Sequence, residues 1–470
     1  MKTGRRGGIE IVRVGVWPAA LALVLGLAAC GGGGGGGGDG PGSKNLSLVI
    51  GNSLPLSGSS KSLGESGEKA SDLAVDEIKQ AIGDVNADHT VRTVSEDQGS
   101  DLQTATESAK KLVSDDSTTC LTGPWSSDAV AKAAEDIAIP EKVLEIAPVP
   151  TDEGIGDLSD NDLINSTALP ESVEGSALSD AIDQDISGAQ GHSVNIAASS
   201  DSYGDSLSQD FIQEWQENDG TVGEHVVLAP PPLDTSSAGG DSTSTTGGYG
   251  SGGYSGSSGY TSAYTGQAYQ VMSGGPNAVL LIDDPTGFAS LAPALSSQSS
   301  WDPEVAWGSD QLVSPGLPNQ VGADAIDGMR ALAPGIPKDQ DASAAFVRDF
   351  RAADPHDVDP APFAAQEFDA TVLCYLAAVA AGSTDGQQMA DHLIDITAPG
   401  GDEFTWQQLP DAIKALQDGE DIDYMGASGP IDMDVQGNPT AGVFDIYQYS
   451  SDGLEVAGEV SVEKPNPAAP

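Results

Sequence analysis

The chain has 470 residues and carries 19 lysines and arginines against 71 aspartates and glutamates, a formal net charge of −52 at pH 7. A surface this acidic excludes nucleic acid and anionic membrane as surface partners, because both repel it. The hydrophobic share, 38%, still supports a folded core, and the length is enough for two or more domains. The acids are spread along the chain rather than gathered in one tail. That fits either adaptation to saline surroundings, where salt screens self-repulsion, or an ordinary acidic secreted surface.

Lys2, Arg5, Arg6 and Arg13 precede an apolar run from Val14 to Leu27 that ends Leu27-Ala28-Ala29-Cys30. A basic start, a short apolar stretch and small residues before a cleavage point make a secretory signal. The run is short for a membrane span. The Leu-Ala-Ala-Cys tetrad resembles the bacterial lipoprotein signal, which implies cleavage after residues 1–29 and lipid on the Cys30 thiol. Gly31 to Gly38 is unbroken glycine and opens a tether over residues 30–44. A flexible coil of that length reaches about 20 Å, enough to hold a globular body off a membrane.

Leu46-Ser47-Leu48-Val49-Ile50-Gly51 predicts a first strand, followed by the loop Asn52–Gly58 and a helix carrying Ala70, Leu73, Ala74 and Ile78. His89–Val94 alternates as a strand, and Leu102, Ala105, Ala109, Leu112 and Val113 mark the next helix. Cys120-Leu121 leads into Gly123-Pro124-Trp125-Ser126-Ser127-Asp128, a helix follows, and Val143–Ile146 ends in Ala147-Pro148-Val149-Pro150-Thr151. Ser126, Ser127 and Asp128 are good N-cap residues, and a helix start favours a carboxylate. A second series comprises the helix Ser176–Ile186, the strand Ser193–Ala198, a loop with Tyr203, the helix Ser206–Glu217, and the strands Val222–Leu228, Ala278–Ile282 and Val305–Trp307. Strand and helix alternate throughout, which predicts an α/β fold of two Rossmann-like lobes with parallel sheets. Ligands of such sheets sit outside the carboxyl ends of the strands. Residues 231–267 interrupt the pattern with a Pro/Gly/Ser/Thr-rich run holding Tyr249, Tyr254, Tyr260 and Tyr264, expected to be a disordered insert.

Cys120 falls in a predicted strand and Cys374 in a predicted apolar helix. Their spacing makes no metal or redox motif; both read as buried thiols, with a disulfide between them left open. His89, His192, His225, His356 and His392 show no metal-ligand spacing, and no nucleophile elbow, P-loop or dinucleotide fingerprint stands in its proper setting. No enzyme activity, metal or cofactor is expected.

Four segments carry a resemblance to the type I periplasmic binding proteins of branched-chain amino-acid importers. They are GNSLPLSGSSKSLG from Gly51 to Gly64, LAVDEI from Leu73 to Ile78, the pair GPWSSD and APVPT, and Phe368-Asp369-Ala370 with the glycine-rich crossover Tyr424–Asp434. The resemblance implies lobe one over 45–168 and 331–428, lobe two over 169–330 and 429–463, and a tail over 464–470. Its three crossings are expected near Ser166–Pro170, Ala325–Pro334 and Ser428–Ile431. It also implies an extracytoplasmic monomer, lipid-anchored to the membrane, that closes on a small molecule and delivers it to an ABC permease.

Carried onto this sequence, the family's pattern puts the ligand's carboxylate at Ser126 or Ser127 and Thr151, and lets the Val149 backbone accept from its ammonium. Asp310 is the lobe-two acid for that ammonium, Tyr203 adds a hydrogen bond, Phe288 covers the ligand, and Leu63 and Trp125 wall its side chain. A branched-chain amino acid is the expected ligand; urea, short amides and small carboxylates are the alternatives. A ligand-sensing receptor on the same fold is the other function this pattern allows.

Overall fold

The computed structural model describes residues 45–149, 153–156, 158–228, 260–353, 356, 358–451 and 453–463. The signal segment, Cys30, the tether, Thr151 and the tail 464–470 lie outside them, as do residues 229–259.

The apolar runs form β1 (Leu46–Leu54), β2 (His89–Asp97), β3 (Cys120–Thr122), β4 (Leu144–Ala147) and β5 (Ile164–Ser166), then β6 (Ser193–Ala198), β7 (Thr221–Val227), β8 (Ala278–Ile282), β9 (Ala306–Gly308) and β10 (Arg330–Pro334). β11 (Asp402–Thr405), β12 (Ile422–Met425), β13 (Ala441–Ser450) and β14 (Gly453–Glu463) complete the set. The first sheet is all parallel, in the order β2-β1-β3-β4-β5. The second runs β14-β13-β10-β9-β8-β6-β7. It is parallel from β10 to β7, with β13 and β14 added as an antiparallel hairpin at its edge. β8, with the sequence AVLLI, is buried at every position, as a central parallel strand covered on both faces should be. β11 and β12 make a small separate ladder.

One apolar core fills the first lobe, and two flank the second sheet. The helix Ala364–Ala381 is apolar on nearly every face and is buried along most of its length in the first core. It carries Cys374, whose sulfur is bonded to Cys120 of β3, so the two cysteines are a disulfide rather than free thiols, with Cα atoms 6.0 Å apart. The bridge joins residues 254 apart and so removes a large loop entropy from the unfolded chain. The double variant Cys120→Ala/Cys374→Ala is expected to lose about 2–4 kcal/mol of stability in urea unfolding. Equal midpoints and slopes for the two proteins would show that the bridge contributes nothing.

Three boundaries differ from the sequence expectation. Arg330–Pro334 belongs to the second sheet, pairing with β9 and β13, so the second crossing follows Pro334 instead of ending there. Ile431 and Met433 pack into the first lobe's core, so the third crossing lies between Asp434 and Ala441. The expected insert ends before residue 260: the helix Tyr260–Val271 occupies its last part, because Tyr264, Ala268 and Val271 recur at helical spacing and bury against the second sheet. Two lobe-two helices also start earlier than their apolar periodicity suggests, at Glu171 and Ser202. Their first turns are polar, and those polar turns face the cleft between the lobes.

Candidate functional site

In the first sheet the strand order reverses direction at β1, between β2 and β3, where a parallel sheet opens a crevice at its carboxyl edge. The loops after β1, β2 and β3 meet there with those after β6, β8 and β9. Together they enclose a cavity of about 300 Å3. Leu63, Trp125, Ser126, Ser127, Val149, Tyr203 and Asp310 all line it. Thr151 lies outside the described residues. Phe288 does not reach the cavity: it sits in the first turns of the helix Pro285–Ser296 and is fully buried in the core on one face of the second sheet. Its place as an aromatic wall is taken from the other lobe by Phe363.

The apolar wall is a small cluster of its own, built from Leu54, Leu63, Trp125, Val149 and Phe363. Phe363 and Trp125 meet edge to face, with ring centroids 5.8 Å apart. Phe363 holds a left-handed backbone, φ 70°, just before the helix Ala364–Ala381. A bulky residue is rarely found there, and such strain tends to be kept where it aims a side chain at a site. Gly67 leaves room for Trp125: a Cβ at that glycine would stand 2.5 Å from the indole. Gln98 fixes the loop by accepting the Trp125 N–H at 2.8 Å.

Ser126 precedes the helix Ser127–Ala133 and makes no capping hydrogen bond of its own. The first helical residues, Ser127 to Ala129, line the cavity, and N–H groups of a first turn have no partner within their helix. Ser127 is different. It is buried, and its hydroxyl donates to Glu171 of the second lobe.

Lobe two supplies the charge. Asp310 follows β9, is 2% exposed, and its Oδ1 accepts the Tyr203 hydroxyl at 2.5 Å and the Gln311 N–H at 2.6 Å. Behind it, Glu174 is fully buried and accepts the Asp310 N–H at 3.0 Å. Burial pushes the Asp310 carboxyl up to about 6, with the Tyr203 and Gln311 hydrogen bonds pulling the other way. Burial and then the neighbouring Asp310 charge lift Glu174 well above the usual carboxylate range. Burial likewise keeps the Tyr203 phenol protonated.

Asp101, Asp201 and Asp284 also line the cavity, but each caps a helix through its carboxylate. Asp128 accepts the Ser202 hydroxyl from the facing lobe at 2.5 Å. Among the described residues, no lysine, arginine or histidine lines this cavity. The arrangement suits a small molecule with a cationic end at Asp310, a polar end at the Ser126 turn and an apolar body against Trp125 and Phe363. A larger groove of about 1010 Å3 lies between Lys69, Pro337, Phe350 and Leu454. It is lined by helix residues, by the proline-rich segments around Pro337 and Pro360, and by the hairpin of β13 and β14.

Four residues here were not singled out from the sequence: Gln98, Glu171, Glu174 and Phe363. Phe363 had one visible mark, an aromatic set between Pro362 and an unbroken apolar helix. The two glutamates are indistinguishable by type among 71 acids, and only the fold separates them.

Comparison with known proteins agrees with this geometry. Residues 47–239 match the family described as periplasmic binding protein. Over 424 residues the chain is 25% identical to the chemotactic signal transduction system substrate-binding protein BasB of Halobacterium salinarum, covering 87% of this chain and 88% of that protein. It shares its fold with the leucine binding protein LivK of Thermotoga maritima, at a TM-score of 0.65 and 17% identity over 89% of this chain and 99% of that one. A solute binding protein of an ABC transporter from R. palustris, in complex with benzoate, gives a TM-score of 0.60 and 18% identity over 90% and 98%. The chain therefore has the two-lobed α/β fold of the type I periplasmic binding proteins, and residues 47–239 carry the sequence pattern of that family of binding proteins, which are not enzymes.

Proposed function

We propose that this chain is an extracytoplasmic receptor that closes its two lobes over an amino acid with a branched apolar side chain and passes it to an ABC importer. The observation that carries the choice is Asp310: a buried carboxyl in a cavity with no basic lining residue among the described residues. Such a site welcomes an ammonium and offers a ligand that is only a carboxylate no counter-charge. Val149 and Ser126 line the same cavity and complete the zwitterion's contacts, with Thr151 expected beside them. The apolar wall of Leu63, Trp125 and Phe363 takes the side chain. The name of LivK supports an amino acid, whereas the benzoate complex keeps aromatic carboxylates among the candidates. A lipid on Cys30 holds the receptor at the outer face of the membrane as a monomer.

A thermal-shift panel of amino acids, urea, short amides and benzoates tests this. A true ligand at about 100 times its Kd stabilises by about 2.7 kcal/mol. Leucine, isoleucine or valine is expected to shift the melt and benzoate is not; the reverse pattern rejects the amino-acid reading. A Cys30→Ser protein that still fractionates with membranes rejects the anchor. Sensing is the second reading, favoured by the chemotactic system named for BasB. A permease and ATPase encoded beside this chain favours transport, and a membrane transducer there favours sensing.

A further inference from the structure

Across the mouth of the cavity the two lobes are tied by hydrogen bonds rather than ion pairs. On one side the Ser59 and Thr286 hydroxyls are 2.9 Å apart, and the Gln320 amide donates to the Ser59 carbonyl at 3.2 Å. On the other side lies a denser knot. Glu171 opens the first helix after the first crossing and is fully buried. One of its oxygens accepts the hydroxyl of Ser127 from lobe one, and the other accepts the hydroxyl of Ser206 from its own lobe. Beside it the Ser202 hydroxyl donates to Asp128 of lobe one. The start of the helix Ser127–Ala133 is thus held against the start of the helix Ser202–Glu217.

We propose that Glu171 is a positioning residue for closure, a latch that clasps Ser127 from the opposite lobe while Ser206 fixes it within its own. The placement has a physical reason. A buried carboxylate needs donors, and this acidic chain has few cations to offer; the Ser206 hydroxyl supplies one within the lobe, and the Ser127 hydroxyl supplies one only when the lobes meet. Closing therefore adds a donor to Glu171, and opening takes it away. The latch lies beside the solute cavity and does not depend on which solute that cavity takes. It also moves Ser127 from ligand contact to lobe contact and leaves Ser126 as the hydroxyl facing the solute.

Amide hydrogen exchange on the full chain, without added ligand, reads the latch directly. In Glu171→Ala, the hydrogen-bonded amides from Val130 in the helix Ser127–Ala133 and from Asp205 in the helix Ser202–Glu217 are expected to exchange about tenfold faster while β1 and β8 keep their rates. Glu171→Gln retains an acceptor and is expected to restore most of the protection. Ser127→Ala removes the donor from the facing lobe and is expected to loosen Ser202–Ser206 as well. Unchanged exchange at Ser127–Ala133 in Glu171→Ala overturns the latch, as does loosening confined to lobe two. A global rise in exchange that Gln does not rescue overturns it too, since that is the signature of a core residue.

Discussion

Asp310→Asn will weaken binding of L-leucine by about 30-fold to several thousand-fold in titration calorimetry, the range for removing one member of a buried, hydrogen-bonded charge pair. Asparagine has nearly the volume of aspartate and still accepts the Tyr203 hydroxyl, so the second lobe keeps its packing. What disappears is the charge. The ligand's ammonium then enters a cavity whose other acids are occupied as helix caps or in the contact between lobes, so the charged acceptor it loses is not replaced. Benzoate shows the opposite dependence. Its affinity should be unchanged or higher in Asp310→Asn, because a negative neighbour has been removed. Equal leucine affinity in the two proteins would take Asp310 out of the amine site. Benzoate binding the unaltered protein more tightly than leucine would replace the amino acid as ligand.

The fold was legible wherever the chain kept a regular period. β1 and the helix Lys61–Val85 are legible because apolar residues recur every two or every three to four positions, and β8 because it is a short unbroken apolar run. The carboxyl ends of β3, β6 and β9 follow short apolar runs, and the family resemblance is what singles out Trp125, Ser126, Tyr203 and Asp310 there; all four line the cavity. What escaped was set by tertiary contact. Glu171 and Ser202 belong to helices, but their first turns are polar because they face the other lobe, so the apolar pattern starts a turn too late. Arg330–Pro334 reads as a link because it is short and ends in proline; it is a strand only because β9 and β13 flank it. Phe288 reads as a loop aromatic, yet Asp284 caps a helix there and turns the ring into the core. The disulfide joins two residues that no local pattern relates; the packing of one helix on one sheet brings them together.

Stability will fall as pH rises from 5 to 8, the reverse of a protein held by carboxylate ion pairs. Several acids are buried without a cation. Burial raises Asp369 to about 6, although it accepts hydrogen bonds from Tyr424, Ala427 and Ser428. Glu367 is pushed by burial to about 8 against the hydrogen bond it accepts from Thr122, and Asp310 to about 6. Glu145 and Glu174 are also raised well above the usual carboxylate range, both first of all by burial. In the unfolded chain all of these titrate near 4. Between the two values the folded state binds the extra protons, so the free energy of unfolding drops by about 1.4 kcal/mol per pH unit for each such group. From pH 5 to 8, Asp310 and Asp369 act over the first unit and Glu367 over the whole span, a loss on the order of 7 kcal/mol to which Glu145 and Glu174 add. Salt screens the surface and not the core, and the slope should survive in molar NaCl even as overall stability rises. Urea unfolding at pH 5, 6.5 and 8, each at low and high salt, measures both effects. A flat profile would mean these carboxyls ionise freely in the folded state, through water that reaches them. Glu367→Gln keeps the acceptor for Thr122 and removes one titration, so it should make the curve shallower between pH 6 and 8, where Glu145 and Glu174 still contribute, and leave the contributions of Asp310 and Asp369 in place.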